Sequence, residues 1–246
     1  MKETRWIRCF QRLAIELTLL VLLGSLTGCA SHRPFSSDTI FHEKPLPSLY
    51  KKEMIVIDAG HGGKDSGAMS QKDHYEEKKF TLETAHILNT YLNQLGYKTV
   101  MTRSQDTFLS LNSRAEIANS LGADIFISIH YNFATNKDAK GVEVYYLKEE
   151  KKLSSPRILK SKALGAMILN KVITKTNATS RGLKEANFLV IRETEMPAVL
   201  FEGGFLSNSH ELEYLRDLKY QRLIARGIAQ GIDQYLELNR KNLSLR

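Results

Sequence analysis

The sequence predicts an α/β fold, a single three-layer α/β/α domain with a mostly parallel central sheet. Two observations carry that prediction. Short β-branched runs alternate with longer segments of helical periodicity from residue 54 onward, and strands that alternate with helices build a layered fold around a parallel sheet. In order, Met54–Asp58 is a buried strand that runs into Ala59-Gly60. Glu76–Leu95 carries Phe80, Leu82, Ala85, Leu88 and Leu92 at helical spacing and closes at Gly96. Tyr97–Met101 is the second strand, Arg114–Leu121 a helix ended by Gly122, and Asp124–Ile129 the third strand. Gly141–Leu147 alternates as a strand and Lys160–Thr174 is helical. Phe188–Arg192 and Ala198–Phe201 are further short strands, and a last helix runs from about Leu218 to Leu238.

The chain before this domain has a different character. Lys2, Arg5, Arg8 and Arg12 precede an apolar run from Leu17 to Leu26, too short to cross a bilayer core that needs roughly 20 apolar residues. Charge, a short apolar stretch and then small residues is the layout of an export signal. It ends in Leu26-Thr27-Gly28-Cys29, which resembles a bacterial lipobox. That resemblance implies cleavage before Cys29 and acylation of its sulfur, with an uncleaved membrane anchor or a helix interrupted by Glu16 as the alternatives. Residues 1–28 are then the signal peptide, 29–52 a lipidated cysteine and tether rich in Ser, Pro, His and charge, 53–240 the domain and 241–246 a tail. Ala30 and Ser31 after the cysteine suit outer-membrane sorting where the cell has two membranes. Cys9 leaves with the signal, so the mature domain has no cysteine pair and relies on its core. Losing the signal lowers the net charge from +8 to +6, which favours anionic lipid or a carboxylate-bearing polymer. No basic block interleaved with aromatics speaks for nucleic acid.

Open α/β sheets gather ligands at the carboxyl ends of their strands, and polar residues stand there. The first strand leads into Asp58-Ala-Gly-His61-Gly-Gly63. The third ends at His130, with Asn132 following, and a late strand ends at Glu202 and turns through Gly203-Gly204. Glu77 lies in the first turn of the helix after the first crossover. Two imidazoles and a carboxylate suit catalytic zinc, which takes three protein ligands and leaves one position for water. Zinc makes that water acidic enough to react near neutral pH, and a second carboxylate must move its proton; Glu202 fits that role. The plainer reading is hydrogen-bonded histidines and a first-turn glutamate favoured by the helix dipole. Among the remaining histidines, His32, His42, His74, His86 and His210 compete for a ligand position; the first two lie in the tether and His86 within a helix, which ranks them low, and His74, in the loop beside Glu77, is the most credible substitute.

With these residues in place, the chain is similar to the zinc-dependent N-acetylmuramoyl-L-alanine amidases of the type-3 class. The matching pieces run from Ile55-Val-Ile-Asp-Ala-Gly-His-Gly-Gly63, Asp65-Ser-Gly-Ala68 and Glu77-Lys78 through Thr102-Arg103, Asp106, Leu111, Arg114 and Ala118-Asn119. They continue through Gly122–His130, Asn132, Gly141-Val-Glu-Val-Tyr145 and Arg181-Gly182-Leu183 to Pro197–Glu202 and Gly204-Phe-Leu-Ser-Asn208. The resemblance implies zinc on His61, Glu77 and His130, with Glu202 as the catalytic glutamate. It implies hydrolysis of the amide between N-acetylmuramic acid and L-alanine of the peptidoglycan stem, in wall remodelling, cell division and septum splitting. Arg103, Asp106 and Arg114 also match and read as an ion-pair network that shapes loops, with a substrate contact by Arg114 as the alternative. The span between Tyr146 and the helix near Lys160 is short and charged (Lys148 to Lys152), which speaks against the inhibitory helical plug of some relatives; the enzyme is then constitutively open or controlled elsewhere, with any activator protein unidentified. No wall-binding repeat is appended, so the lipid anchor at Cys29 would localise the enzyme, in the periplasm of a two-membrane cell.

Two other readings compete. One is a catalytically silent wall-binding regulator, against which the intact set His61, Glu77, His130 and Glu202 argues. The other is penicillin-binding-type serine chemistry through Ser48-Leu-Tyr-Lys51, a Ser-x-x-Lys pattern loosely echoed by Ser110-Leu-Asn112 and Lys175-Thr-Asn177. That motif precedes the domain instead of opening a core helix.

Overall fold

The computed structural model describes residues 51–70, 74–148 and 155–244. The segment read as an export signal with Cys29, the expected tether up to residue 50 with Ser48, and most of the charged span after Lys148 lie outside the described residues.

Among the described residues six strands form one sheet: β1 (Met54–Ala59), β2 (Lys98–Met101), β3 (Ile125–Asn132), β4 (Val142–Leu147), β5 (Ser180–Ala186) and β6 (Ala198–Phe205), in the order β2-β1-β3-β6-β4-β5. All neighbours pair parallel except β4 and β6, which are antiparallel. Three long helices cover one face: α1 (Glu77–Gln94), α3 (Pro156–Thr176) and α6 (Leu218–Ser244). Their apolar stripes meet Ile55, Ile57, Ile125, Ile127, Val199 and Phe201. The other face carries α2 (Leu111–Ser120) and the single turn α4 (Leu189–Arg192), packed on Val56, Phe126, Ala198 and Leu200. α5 (Ser209–Arg216) adds Leu212 and Leu215 to the larger cluster. Strands buried on both faces read as continuous apolar runs, which is why β1 and β3 stand out in the sequence. α3 and α6 cross closely: a Cβ on Gly231 would lie 2.5 Å from Ile168 Cα.

Several boundaries differ from expectation, each for a local reason. α2 begins at Leu111, three residues before the expected start, because Ser110 caps it by accepting Ser113 N at 3.1 Å. α3 begins at Pro156, behind the Ser155 cap. Phe188–Arg192, expected as a strand, contains the helical turn α4, which drives Val190 and Ile191 under the sheet; periodicity cannot decide so short an apolar run. β5 was not expected, since Ser180-Arg-Gly-Leu-Lys-Glu-Ala is polar, as befits an edge strand. Gly203-Gly204 is strand and not turn: a Cβ on Gly203 would meet the Tyr131 ring at 2.6 Å. α5 was also not expected; Asn208 caps it by accepting His210 N and Glu211 N. No helix among the described residues is long and apolar enough to cross a membrane.

Candidate active site

Because β1, β3 and β6 are mutually parallel, their carboxyl ends share one edge of the sheet. Register then sets the neighbours. His130 on β3 pairs with Glu202 on β6, and Glu202 pairs with Glu143 on β4. Registered residues on adjacent strands project to the same face, so these three form a row across the sheet on the face that carries α2 and α4.

His61 reaches the row from the loop past β1, where its φ is 61°, a left-handed conformation that costs a side-chain-bearing residue of order 1 kcal/mol. The loop is tied down heavily enough to hold it. Gly60 N donates to Ile129 O at 3.1 Å, and Gly62 and Asp65 exchange backbone bonds of 2.8 and 3.1 Å. From below, Arg114 donates Nη1 to Asp58 Oδ1 (2.8 Å) and Ala59 O (2.7 Å) and Nη2 to His61 O (2.8 Å). Arg103 donates Nε to Ala59 O at 2.9 Å and Nη2 to Gly60 O at 2.8 Å. Asp106 accepts Gly63 N at 2.7 Å and pairs with Lys78 at 2.9 Å. Every one of these contacts holds loop backbone or an ion pair beneath it.

Glu77, in the first turn of α1, joins the two histidines. Its Oε2 stands 3.0 Å from His61 Nε2 and its Oε1 2.9 Å from His130 Nδ1, while the two ring nitrogens are 3.1 Å apart. Backbone donors fix the carboxylate further: Ala68 N at 2.8 Å and Tyr131 N at 3.0 Å. One donor atom from each of the three residues lies within 4.8 Å of the others, the arrangement needed for a shared metal ion. Zinc bonds of 2.0–2.2 Å in a tetrahedral site separate ligand atoms by about 3.3 Å, so two imidazoles and one carboxylate at these spacings fit the ion with little movement. The surrounding backbone is shaped to them as well. A Cβ on Gly60 would lie 2.3 Å from the His130 ring, and one on Gly67, at φ +67°, would lie 2.6 Å from both Glu77 Oε2 and His61 Cδ2.

The electrostatics separate the two glutamates. Burial disfavours charge on Glu77, yet hydrogen bonds from His130 and His61 outweigh it and hold the carboxyl below the usual range. Burial works equally against charge on His61, and the Glu77 and Asp65 carboxylates overcome it and raise its pKa. Glu202 has no such help. Burial, reinforced by the charges of Glu77 and Glu143, pushes it well above the ordinary carboxylate value. Its Oε2 is shut from solvent without a hydrogen-bond partner among the described residues, a costly state that marks an atom aimed at something else.

The other candidates do not join the cluster of His61, Glu77 and His130. His74 is exposed at φ 52° and is not gathered into the cluster, and His86 is exposed with Nε2 3.1 Å from Ser104 O. Asn132 donates to Glu143 at 2.7 Å. Lys51 is occupied by Asp233 at 2.6 Å, and Ser110 caps α2. Two participants were not singled out from the sequence. Asp65 accepts from or faces His61 Nδ1 at 2.9 Å, and its only signal was an acid four residues after a histidine in a glycine-rich loop. Glu143 is buried beside Glu202; its signal was an acid within the strand Val-Glu-Val-Tyr-Tyr.

An open α/β sheet that gathers two imidazoles, a carboxylate between them and a second, unpartnered carboxylate at one edge fits the class of hydrolases that attack a carbonyl with a cation's help. Comparison with known proteins narrows this. Residues 55–234 match the N-acetylmuramoyl-L-alanine amidase family. The chain is 33% identical over 213 residues, 86% of its length and 67% of the relative's, to a probable cell wall amidase, LytH, of Staphylococcus epidermidis. It superposes with a TM-score of 0.69 and 41% identity on the catalytic domain of CwlV, an N-acetylmuramoyl-L-alanine amidase from Bacillus (Paenibacillus) polymyxa, covering 75% of this chain and 98% of that one. The CwlD amidase from Clostridioides difficile, solved in complex with the GerS lipoprotein, gives 0.70 at 29% identity over 76% of this chain and 99% of that one. The chain belongs to the N-acetylmuramoyl-L-alanine amidase family and is a cell-wall hydrolase. That assignment prevails over the silent-regulator and serine-enzyme readings.

Proposed function

We propose that the enzyme cleaves the amide between the lactyl group of N-acetylmuramic acid and L-alanine of the stem peptide, using zinc held by His61, Glu77 and His130 and Glu202 as the proton carrier. The observation that carries these roles is the buried, unpartnered Oε2 of Glu202, one strand away from His130. Zinc bound there supplies Lewis acidity toward the scissile carbonyl and makes water acidic enough to react near neutral pH. Glu202 takes the proton of the attacking water and returns it to the leaving nitrogen as the carbon–nitrogen bond breaks. Its burial and the nearby carboxylates of Glu77 and Glu143 favour holding that proton between the two steps. Asp65 orients the His61 ring through Nδ1. Arg103, Asp106 and Arg114 act on the loop and not on substrate, since their polar atoms bond the backbone of residues 59–63 and its supports.

Cys29 we assign as the lipid attachment point, with the tether up to residue 52 carrying the domain into the envelope, on the outer membrane where two membranes exist. Wall remodelling at division and septum splitting is the matching role. CwlD in complex with a lipoprotein offers a precedent for a protein partner. The reading is tested by digesting purified peptidoglycan with residues 31–246. Mass spectrometry is expected to find free stem peptides with an L-alanine amino terminus, lost on chelation and restored by zinc. Products cut elsewhere in the peptide, or full activity after chelation, would contradict it. The anchor is tested separately: Cys29→Ala protein should leave the membrane fraction.

A further inference from the structure

The registered row does not stop at Glu202. Glu143, opposite it on β4, is 2% exposed and has both oxygens engaged. Oε1 accepts from Asn132 Nδ2 at 2.7 Å and Tyr145 Oη at 2.8 Å. Oε2 accepts from Arg181 Nε at 2.8 Å and from Lys184 Nζ. One carboxylate therefore holds two cations, leaving one positive charge in surplus beside the catalytic edge. Neutralising Glu143 would take only one of them. Both cationic side chains are 35% exposed. Arg181 is fixed through Nε and by its stack on the Phe205 ring, 4.8 Å away. Its two terminal amino groups have no hydrogen-bond partner among the described residues, so a preoriented fork stands open. Such a fork matches a carboxylate.

Distance names the carboxylate. Glu143 is two strands from His130, about 10 Å at the spacing of strands in a sheet. A peptide extends about 3.5 Å per residue, so a carboxylate on the second stem residue lies about 7 Å from the scissile amide. A hydrogen bond of about 2.9 Å closes the remaining gap.

We infer that Arg181 and Lys184, clamped by Glu143, form a subsite for a free carboxylate on the second residue of the stem peptide. The subsite rests on the amidase reading of the neighbouring site, and it makes the enzyme favour stems in which that carboxylate is not amidated.

The test compares two muropeptides that differ only in a carboxylate or a carboxamide at that position, with the full chain as enzyme. The wild type is expected to prefer the acid by about tenfold in kcat/KM, as a charge-assisted pair contributes, and the preference should shrink with salt. Removing the cations alone would bury Glu143 unpaired and destabilise the fold. The test variant is therefore the neutral set Arg181→Gln, Lys184→Met and Glu143→Gln, in which the ratio should fall to about one. Arg181→Lys, which keeps the charge and loses the fork, should give an intermediate ratio. Equal cleavage of both substrates by the wild type, or a preference that survives in the neutral variant, overturns the subsite. Cleavage of neither overturns the amidase reading and the subsite with it.

Discussion

Substituting Gly67 by alanine isolates how closely the backbone is fitted to the proposed metal ligands. The new Cβ would stand 2.6 Å from Glu77 Oε2 and from His61 Cδ2, whereas ordinary contact begins near 3.4 Å. One ligand or the loop must therefore yield by about 0.8 Å, several times the roughly 0.2 Å within which metal–ligand distances are held. Losing a supporting contact typically costs about 10–100-fold in metal affinity, and here a ligand itself is displaced, so that range is a lower bound. Alanine at φ +67° adds a backbone cost of about 1–2 kcal/mol, which must be separated from the ligand effect. Gly122 provides the control, with φ +58° and nothing within 4 Å of an added Cβ. Both Gly67→Ala and Gly122→Ala should lower the stability of the metal-free protein by that backbone increment in thermal melts. Only Gly67→Ala should lose zinc affinity in competition with a chromophoric chelator. Wild-type zinc affinity in Gly67→Ala would refute the fitted-loop account.

Further consequences follow from the same packing. Arg114→Met leaves Asp58 buried at 0% exposure without its cation, and should cost about 3–5 kcal/mol in denaturant titration; a change below about 1 kcal/mol would show the pair to be dispensable. Gly231→Ala places a methyl group 2.5 Å from the Ile168 backbone and should cost about 1–3 kcal/mol by forcing α3 and α6 apart. His74→Ala and His86→Ala should retain the zinc content of the wild type, because neither ring joins the cluster of His61, Glu77 and His130; loss of zinc in either would reassign a ligand.

Much of this architecture is written locally. β1 and β3 are buried on both faces, so their apolar runs are unbroken, and α1 shows its stripe over five turns. The strand-end rule then carries His61, His130 and Glu202 to one edge without any contact being known. What stayed hidden depends on neighbours distant in sequence. β5 owes its place to pairing with β4, not to its own polar sequence. Gly203 looks like a turn residue until the Tyr131 ring is seen filling the place of its side chain. Glu143 gains its setting only because β4 returns antiparallel beside β6, a pairing that breaks the parallel pattern the alternation of elements suggests. Phe188–Arg192 offered too few residues for a helical and an extended reading to be distinguished.

The central claim is that His61, Glu77 and His130 hold zinc while Glu202 moves the proton and binds no metal. The most direct measurement is zinc content together with muropeptide hydrolysis, by mass spectrometry, for residues 31–246 and the Glu202→Ala variant. The account predicts about one zinc in each protein, free stem peptides from the wild type, and a rate lower by about 100–10,000-fold in the variant. A wild type without metal, or a variant that loses its zinc along with its activity, would contradict it.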